Sequence, residues 1–214
     1  MPTVLDVQAL PRIQLSRTRR LRDALVAGLT EGRDDIVVNT LNLATDHDVL
    51  PAIDSWDISA KFEVAYGDGT LDEDQATRWD RIVRLTDQLH ASSMVVISAP
   101  MWNFTIPWHL KRWLDCVMQA KLTFDATASG YQGLLGGRPV VLLSTRDAFL
   151  GEGSGMEAFD FHLPYLRTVC GFMGLGPVHT VLAEGLFDRT TREEKLVAAV
   201  EAARDLGAKL RADL

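Results

Sequence analysis

The chain has 214 residues, 47% of them hydrophobic, which is ample material for one large core. A formal net charge of -7 argues against nucleic acid or an anionic membrane surface as the main partner. The two cysteines, Cys116 and Cys170, sit inside apolar helical patterns and read as buried free thiols, neither a disulfide nor a metal pair.

In chain order, residues 3–9 form the first apolar strand segment. Ser16 is placed to cap a helix from residue 17, with Leu21, Leu25 and Leu29 on its apolar face. Ser16 and Thr18 bring hydroxyls to that helix start, and Arg12, Arg17, Arg19 and Arg20 crowd it. Basic groups there oppose the helix dipole. Two readings stand: a solvated basic face, or a cradle for a dianion over unpaired amides.

Residues 36–41 give a second strand. The pattern then loosens over residues 44–69, with a short helix near 57–66 that carries Phe62 and Tyr66 close behind Trp56; packing and ligand contact are both open for these aromatics. A long amphipathic helix follows over residues 71–90, with Trp79, Ile82, Val83, Leu85 and Leu89 on its inner side. It leads into a short β-branched strand, residues 94–98.

That strand delivers an unusual polar-aromatic loop, Pro100, Met101, Trp102, Asn103 and Phe104, before a helix that begins near Pro107. The carboxyl end of a parallel strand is where open α/β sheets place ligands. An aromatic corner that only packs is the other reading.

A glycine-punctuated segment over residues 125–137 reads as an excursion containing Tyr131. Residues 139–144 form a fourth strand, leading into Ser144, Thr145, Arg146 and Asp147. Residues 150–155 are a glycine-rich link without dinucleotide spacing, since G-x-G-x-x-G is required straight after the first strand. A helix is expected over residues 156–173, a fifth strand over 178–183 and a closing amphipathic helix over 193–212.

Five strand candidates separated by helical segments imply an α/β fold: a five-stranded parallel sheet, order 2-1-3-4-5, with helices on both faces. No repeat, low-complexity tract or linker divides residues 1–214, so one domain is expected. No charged-then-apolar leader opens the chain and no apolar run nears the ~20 residues of a membrane span, so a cytoplasmic location is expected. There is no G-x-S-x-G elbow and no paired His or Cys spacing for a metal. His109 and His162 read as structural or rim residues, not bases.

The strings PMWNFTIP, LKRWLDCV and LTF resemble the FMN-dependent NADH-azoreductases, a branch of the flavodoxin-like quinone reductases, and the resemblance covers nearly the whole chain. It implies a flavodoxin-like fold in which Ser16 and Thr18 cradle the FMN phosphate. Pro100, Met101, Trp102, Asn103 and Phe104 would lie along the flavin ring, with Ser144, Thr145, Arg146 and Asp147 as a second ring loop. Trp102, Phe62 and Tyr131 would line the substrate pocket. No residue is expected to be a nucleophile, because flavin N5 is the reacting atom, and amides of Trp102, Asn103 and Phe104 are expected to face the ring.

The resemblance further implies NADH or NADPH as transient donor, a quinone or azo aromatic as acceptor, and a homodimer with sites at the subunit boundary. The chain departs from the family at three positions. Leu10 stands where members commonly have serine, and Asp147 and Ala148 replace two glycines that normally lie against the ring. Ile13 and Leu15 make the first loop more apolar than usual. These departures favour, as an alternative, a specialised flavoenzyme for one aromatic metabolite. An FMN electron carrier is the remaining, different reading.

Overall fold

A computed structural model describes residues 1–46 and 49–214, without the side chain of Ile13. Its elements are β1 (Thr3–Gln8), α1 (Arg17–Thr30), β2 (Val37–Asn42), α2 (Ser55–Tyr66), α3 (Glu73–Ala91), β3 (Met94–Ser98) and α4 (Trp108–Val117). There follow β4 (Phe124–Thr127), β5 (Gly130–Gly133), β6 (Val140–Thr145), α5 (Leu163–Phe172), β7 (Val178–Ala183) and α6 (Arg192–Leu210). The main sheet runs β2-β1-β3-β6-β7, all pairs parallel. With β4 and β5 set aside as an antiparallel hairpin, this is the order 2-1-3-4-5 expected from sequence.

The two-residue period of the strands divides the core. Leu5 and Val7, Val95 and Ile97, and Val140 and Leu142 face α3, α4 and α5. Val4, Met94 and Val96, and Val141 and Leu143 face α1 and α6. β3 and β6 are buried at every position, which is why they read as unbroken apolar runs.

Capping boxes fix two helix starts. Asp54 and Asp72 each form a reciprocal capping box, with Asp57 and Gln75 respectively. Asp54 therefore starts α2 at Ser55, two residues ahead of the expected position. Arg112 of α4 fastens the loosened stretch before α2 by donating to the carbonyls of Leu50 and Pro51. Residues 47 and 48 of that stretch lie outside the described residues.

One expected helix is two pieces. Over 156–173 there is a short 3-10 turn, Glu157–Phe159, and then α5. Pro164 has no N–H and its ring clashes with a helical carbonyl four residues earlier, so it can occupy only a first turn. Asp160 caps the new start, accepting from the amides of His162 at 3.1 Å and Leu163 at 3.3 Å. Among the described residues no helix is long and apolar enough to cross a membrane, and no metal-ligating cluster occurs.

Candidate functional site

The carboxyl edge of the sheet gathers three loops around a cleft of about 120 Å³. Pro11, Arg12, Ser16 and Arg17 come from the β1–α1 connection, Pro100, Met101 and Trp102 from the loop after β3, and Thr145, Arg146 and Asp147 from the end of β6. Backbone bonds stitch the loops: Ala9 N–H donates to Ser98 at 2.9 Å, Ala99 N–H to Leu143 at 2.9 Å, and Met101 N–H to Thr145 at 3.0 Å.

Ser16 is the N-cap of α1 in extended conformation, yet its side chain makes no cap hydrogen bond. Its hydroxyl is therefore available at the edge of the cleft, beside the first amides of the helix. Arg17 reaches across to Asp147, Nη1 to Oδ1 at 2.6 Å. Arg20 is held by Glu193 at 2.8 Å and Arg19 lies 3.6 Å from Asp23. The crowd of arginines thus mostly meets carboxylates. Arg12 remains as a cleft cation with no ion pair among the described residues.

Thr18 is not in the lining. It is fully buried, and its hydroxyl meets that of Thr145 at 2.8 Å, tying α1 to β6. As the residue directly after Arg17 it points to a different side of the helix, toward β6. Leu10 is also buried, at 1% exposure, so the apolar residue in the first loop fills core. Leu15 is exposed.

The loop after β3 turns sharply beyond the cleft. Trp102 and Thr105 exchange backbone bonds, N–H to carbonyl at 2.8 Å in one direction and 2.9 Å in the other. Asn103 and Phe104 between them have φ of 45° and 69°. Positive φ at both central positions is the geometry of a tight hairpin turn, where glycine is usual and phenylalanine is strained. The turn carries Asn103 and Phe104 out of the lining. The amide of Trp102 is engaged by Thr105, which corrects the expectation that it faces a ring; the amides of Asn103 and Phe104 make no backbone bond among the described residues.

At the third loop, the Arg146 side chain is 3% exposed and its guanidinium is gripped on two sides. It donates to Asp160 at 2.6 Å and to Glu184 at 3.0 and 2.7 Å. A buried cation must be paired; the Arg146 charge is already engaged by two carboxylates, and the residue anchors its loop. Burial raises the Asp160 carboxyl, but Arg146 and the backbone of His162 and Leu163 outweigh it and hold it below the ordinary carboxylate range.

Ser144 is likewise buried, its hydroxyl 3.4 Å from His162 Nδ1. His162 is wholly enclosed, and burial is the chief reason its pKa falls to about 4, with Asp160 raising it and Arg146 lowering it. It is a neutral structural group, as its sequence position suggested.

Phe62 and Tyr131 lie away from the cleft. Phe62 on α2 stacks near Tyr66 at 5.5 Å, and Tyr131 on β5 meets Phe124 and Phe172. Trp56, Phe62 and Tyr66 are 61, 57 and 79% exposed, so they stand outside the core of this chain. Sequence reading missed Pro11 in the cleft and the anchors Asp160 and Glu184. Arg12 carried a signal as part of the basic cluster. The anchors carried none, because they meet Arg146 from 14 and 38 residues away.

A family profile described as "Flavodoxin-like fold" matches residues 2–206. The chain is 33% identical over 206 residues to an FMN-dependent NADH:quinone oxidoreductase of Nitratidesulfovibrio vulgaris, covering 95% of this chain and 97% of that one. It is 34% identical, with 96% and 97% coverage, to FMN-dependent NADH:quinone oxidoreductase 2 of Pseudomonas syringae pv. tomato. A crystal structure of an azoreductase from Bacillus anthracis superposes with a TM-score of 0.88 at 28% identity, over 98% of this chain and 100% of that one. The chain belongs to the flavodoxin-like fold family, among the FMN-dependent NADH:quinone oxidoreductases and azoreductases.

Proposed function

We propose that this protein is an FMN-dependent oxidoreductase that uses NADH or NADPH to reduce quinone or azo aromatics. The observation that carries the reading within this chain is the uncapped Ser16 hydroxyl at a helix start, inside a cleft shared with the loops after β3 and β6. Helix amides, that hydroxyl and the arginines Arg12 and Arg17 suit the phosphate of FMN. When bound, FMN would supply N5 as the atom that takes up and releases hydride.

The chain's own part is positioning. Thr145 and Met101, joined by a backbone bond, would hold the two ring-side loops at a fixed spacing. The amides of Asn103 and Phe104, which make no backbone bond among the described residues, would be donors to charge developing at the ring edge. Trp102, 41% exposed, would form an aromatic wall for flat acceptors.

A cleft of about 120 Å³ is far below the ~300–1,000 Å³ of sites that enclose a whole ligand. It suits a phosphate and polyol, with the ring lying on an open side. A second copy of this chain would supply the missing wall. The exposed Trp56, Phe62, Tyr66 and Tyr131 are candidates for that boundary, which is how Phe62 and Tyr131 would reach an acceptor. Among the described residues no helix is long and apolar enough to cross a membrane, and a cytoplasmic location belongs to the same proposal.

The test is a spectrum of the purified protein with and without added FMN, followed by anaerobic NADH and then a quinone or azo dye. A yellow protein bleached by NADH and re-oxidised by the acceptor is expected. A protein that cannot be loaded with FMN would overturn the reading. A yellow protein indifferent to both NADH and NADPH would instead favour the specialised flavoenzyme, a reading that the carboxylate of Asp147 inside the cleft supports.

A further inference from the structure

We propose that Asp147 is a built-in competitor for the ligand's phosphate, holding Arg17 until the phosphate displaces it, and that it thereby sets how strongly the site prefers FMN to riboflavin. This rests on the FMN reading above.

The geometry has three parts. Asp147 Oδ1 and Arg17 Nη1 are 2.6 Å apart and bridge two walls of the same cleft, the start of α1 and the loop after β6, across 130 residues of sequence. Arg17 is one of only two lining arginines whose charge can reach a ligand, since Arg146 is locked between Asp160 and Glu184. An incoming phosphate must therefore share Arg17 with a carboxylate already in contact.

The pair is also easy to open. Its side chains are 27 and 60% exposed, and exposed ion pairs contribute little net stability. The backbone beneath stays fixed while the carboxylate moves. Phe187 N–H donates to the Asp147 carbonyl at 3.1 Å, Arg146 N–H to Ala183 at 2.9 Å, and Gly185 N–H to Ala148 at 3.1 Å. Only the side-chain torsions of Asp147 need change for Arg17 to turn to the phosphate.

Two consequences follow from charge alone. Binding of a phosphorylated flavin carries the small cost of opening the ion pair and the larger one of leaving a carboxylate near a dianion. Binding of an unphosphorylated flavin carries neither, because it leaves the pair closed. Asp147 thus narrows the preference for FMN over riboflavin, and removing its charge widens it.

The experiment is a fluorescence-quenching titration of the full apo chain with FMN and, separately, with riboflavin. Wild type, Asp147→Asn, Arg17→Gln and the double variant are compared, with circular dichroism to confirm that each is folded. Asp147→Asn is expected to tighten FMN roughly tenfold and to leave riboflavin within about twofold. Arg17→Gln is expected to weaken FMN and to abolish the gain from Asp147→Asn. Unchanged or weaker FMN binding by Asp147→Asn overturns the proposal while leaving the FMN reading intact. So does an equal gain for riboflavin, which would put the effect at the ring, or a gain that persists without Arg17. If no variant binds either flavin, the FMN reading falls and the proposal with it.

Discussion

Ser16 and His162 show how one residue's bonding, more than its type, decides its part. A serine N-cap normally accepts from a first-turn amide, and its replacement by alanine costs about 0.5–2 kcal/mol. Ser16 makes no such bond. Ser16→Ala should therefore change apo stability by less than about 0.5 kcal/mol while weakening FMN roughly tenfold, the value of one bond to an ionised group. Paired denaturant melts and FMN titrations check this, and a large stability loss with unchanged affinity would refute it. His162 gives a pH prediction. Its folded pKa is depressed to about 4 from 6.5, so the stability of the neutral buried form is fully present above pH 6.5 and is lost as pH falls toward 4. The loss is on the order of 3 kcal/mol. In His162→Gln the part of the pH dependence lying between those values should shrink, as read from urea midpoints at pH 7.5 and 4.5.

At the scale of elements, α1 and α6 approach each other until backbone meets backbone. A Cβ on Gly28 would lie 2.2 Å from the Arg204 carbonyl oxygen, and one on Gly207 the same 2.2 Å from that of Leu25. Neither neighbour can move aside, because both carbonyls are part of a helix. Gly171, in the exposed part of α5, has nothing within 4 Å of its Cβ position. One substitution should thus have two signs. Gly28→Ala or Gly207→Ala is expected to cost about 1–3 kcal/mol by overpacking, whereas Gly171→Ala should add roughly 0.5–1 kcal/mol through helix propensity. Thermal melts of the three variants decide it, and a stabilised Gly28→Ala would show that the two helices have room to separate.

For the whole molecule, the open question is what covers its aromatic surface. Trp56, Phe62 and Tyr66, all on α2, are each more than half exposed, as are Tyr131 and Phe187 elsewhere in the chain. Large exposed apolar patches mark interaction surfaces. Gel filtration with light scattering should therefore give twice the 23.7 kDa of one chain. Phe62→Asp should shift the protein toward monomer and lower acceptor turnover together, while FMN affinity, which the proposal assigns to residues of one chain, should change less. A monomeric wild type would sink the shared-site reading.

Composition and period alone determined a great deal. The five parallel strands and the amphipathic helices that cover them follow from apolar runs and spacings, and the order 2-1-3-4-5 is one of the two common orders for such a sheet. The motif strings also marked which three loops meet, because strand ends of a parallel sheet share an edge. What each side chain does there was decided by tertiary contacts. Thr18 reads as a ligand hydroxyl until Thr145 is found against it, and Arg146 reads as a ligand cation until Asp160 and Glu184 close on it. Asp147 reads as an intrusion until Arg17 is found holding it. Local sequence fixes a residue's torsions and its face, but the partner of a buried or bridging charge comes from distant chain, and only folding brings the two within bonding distance.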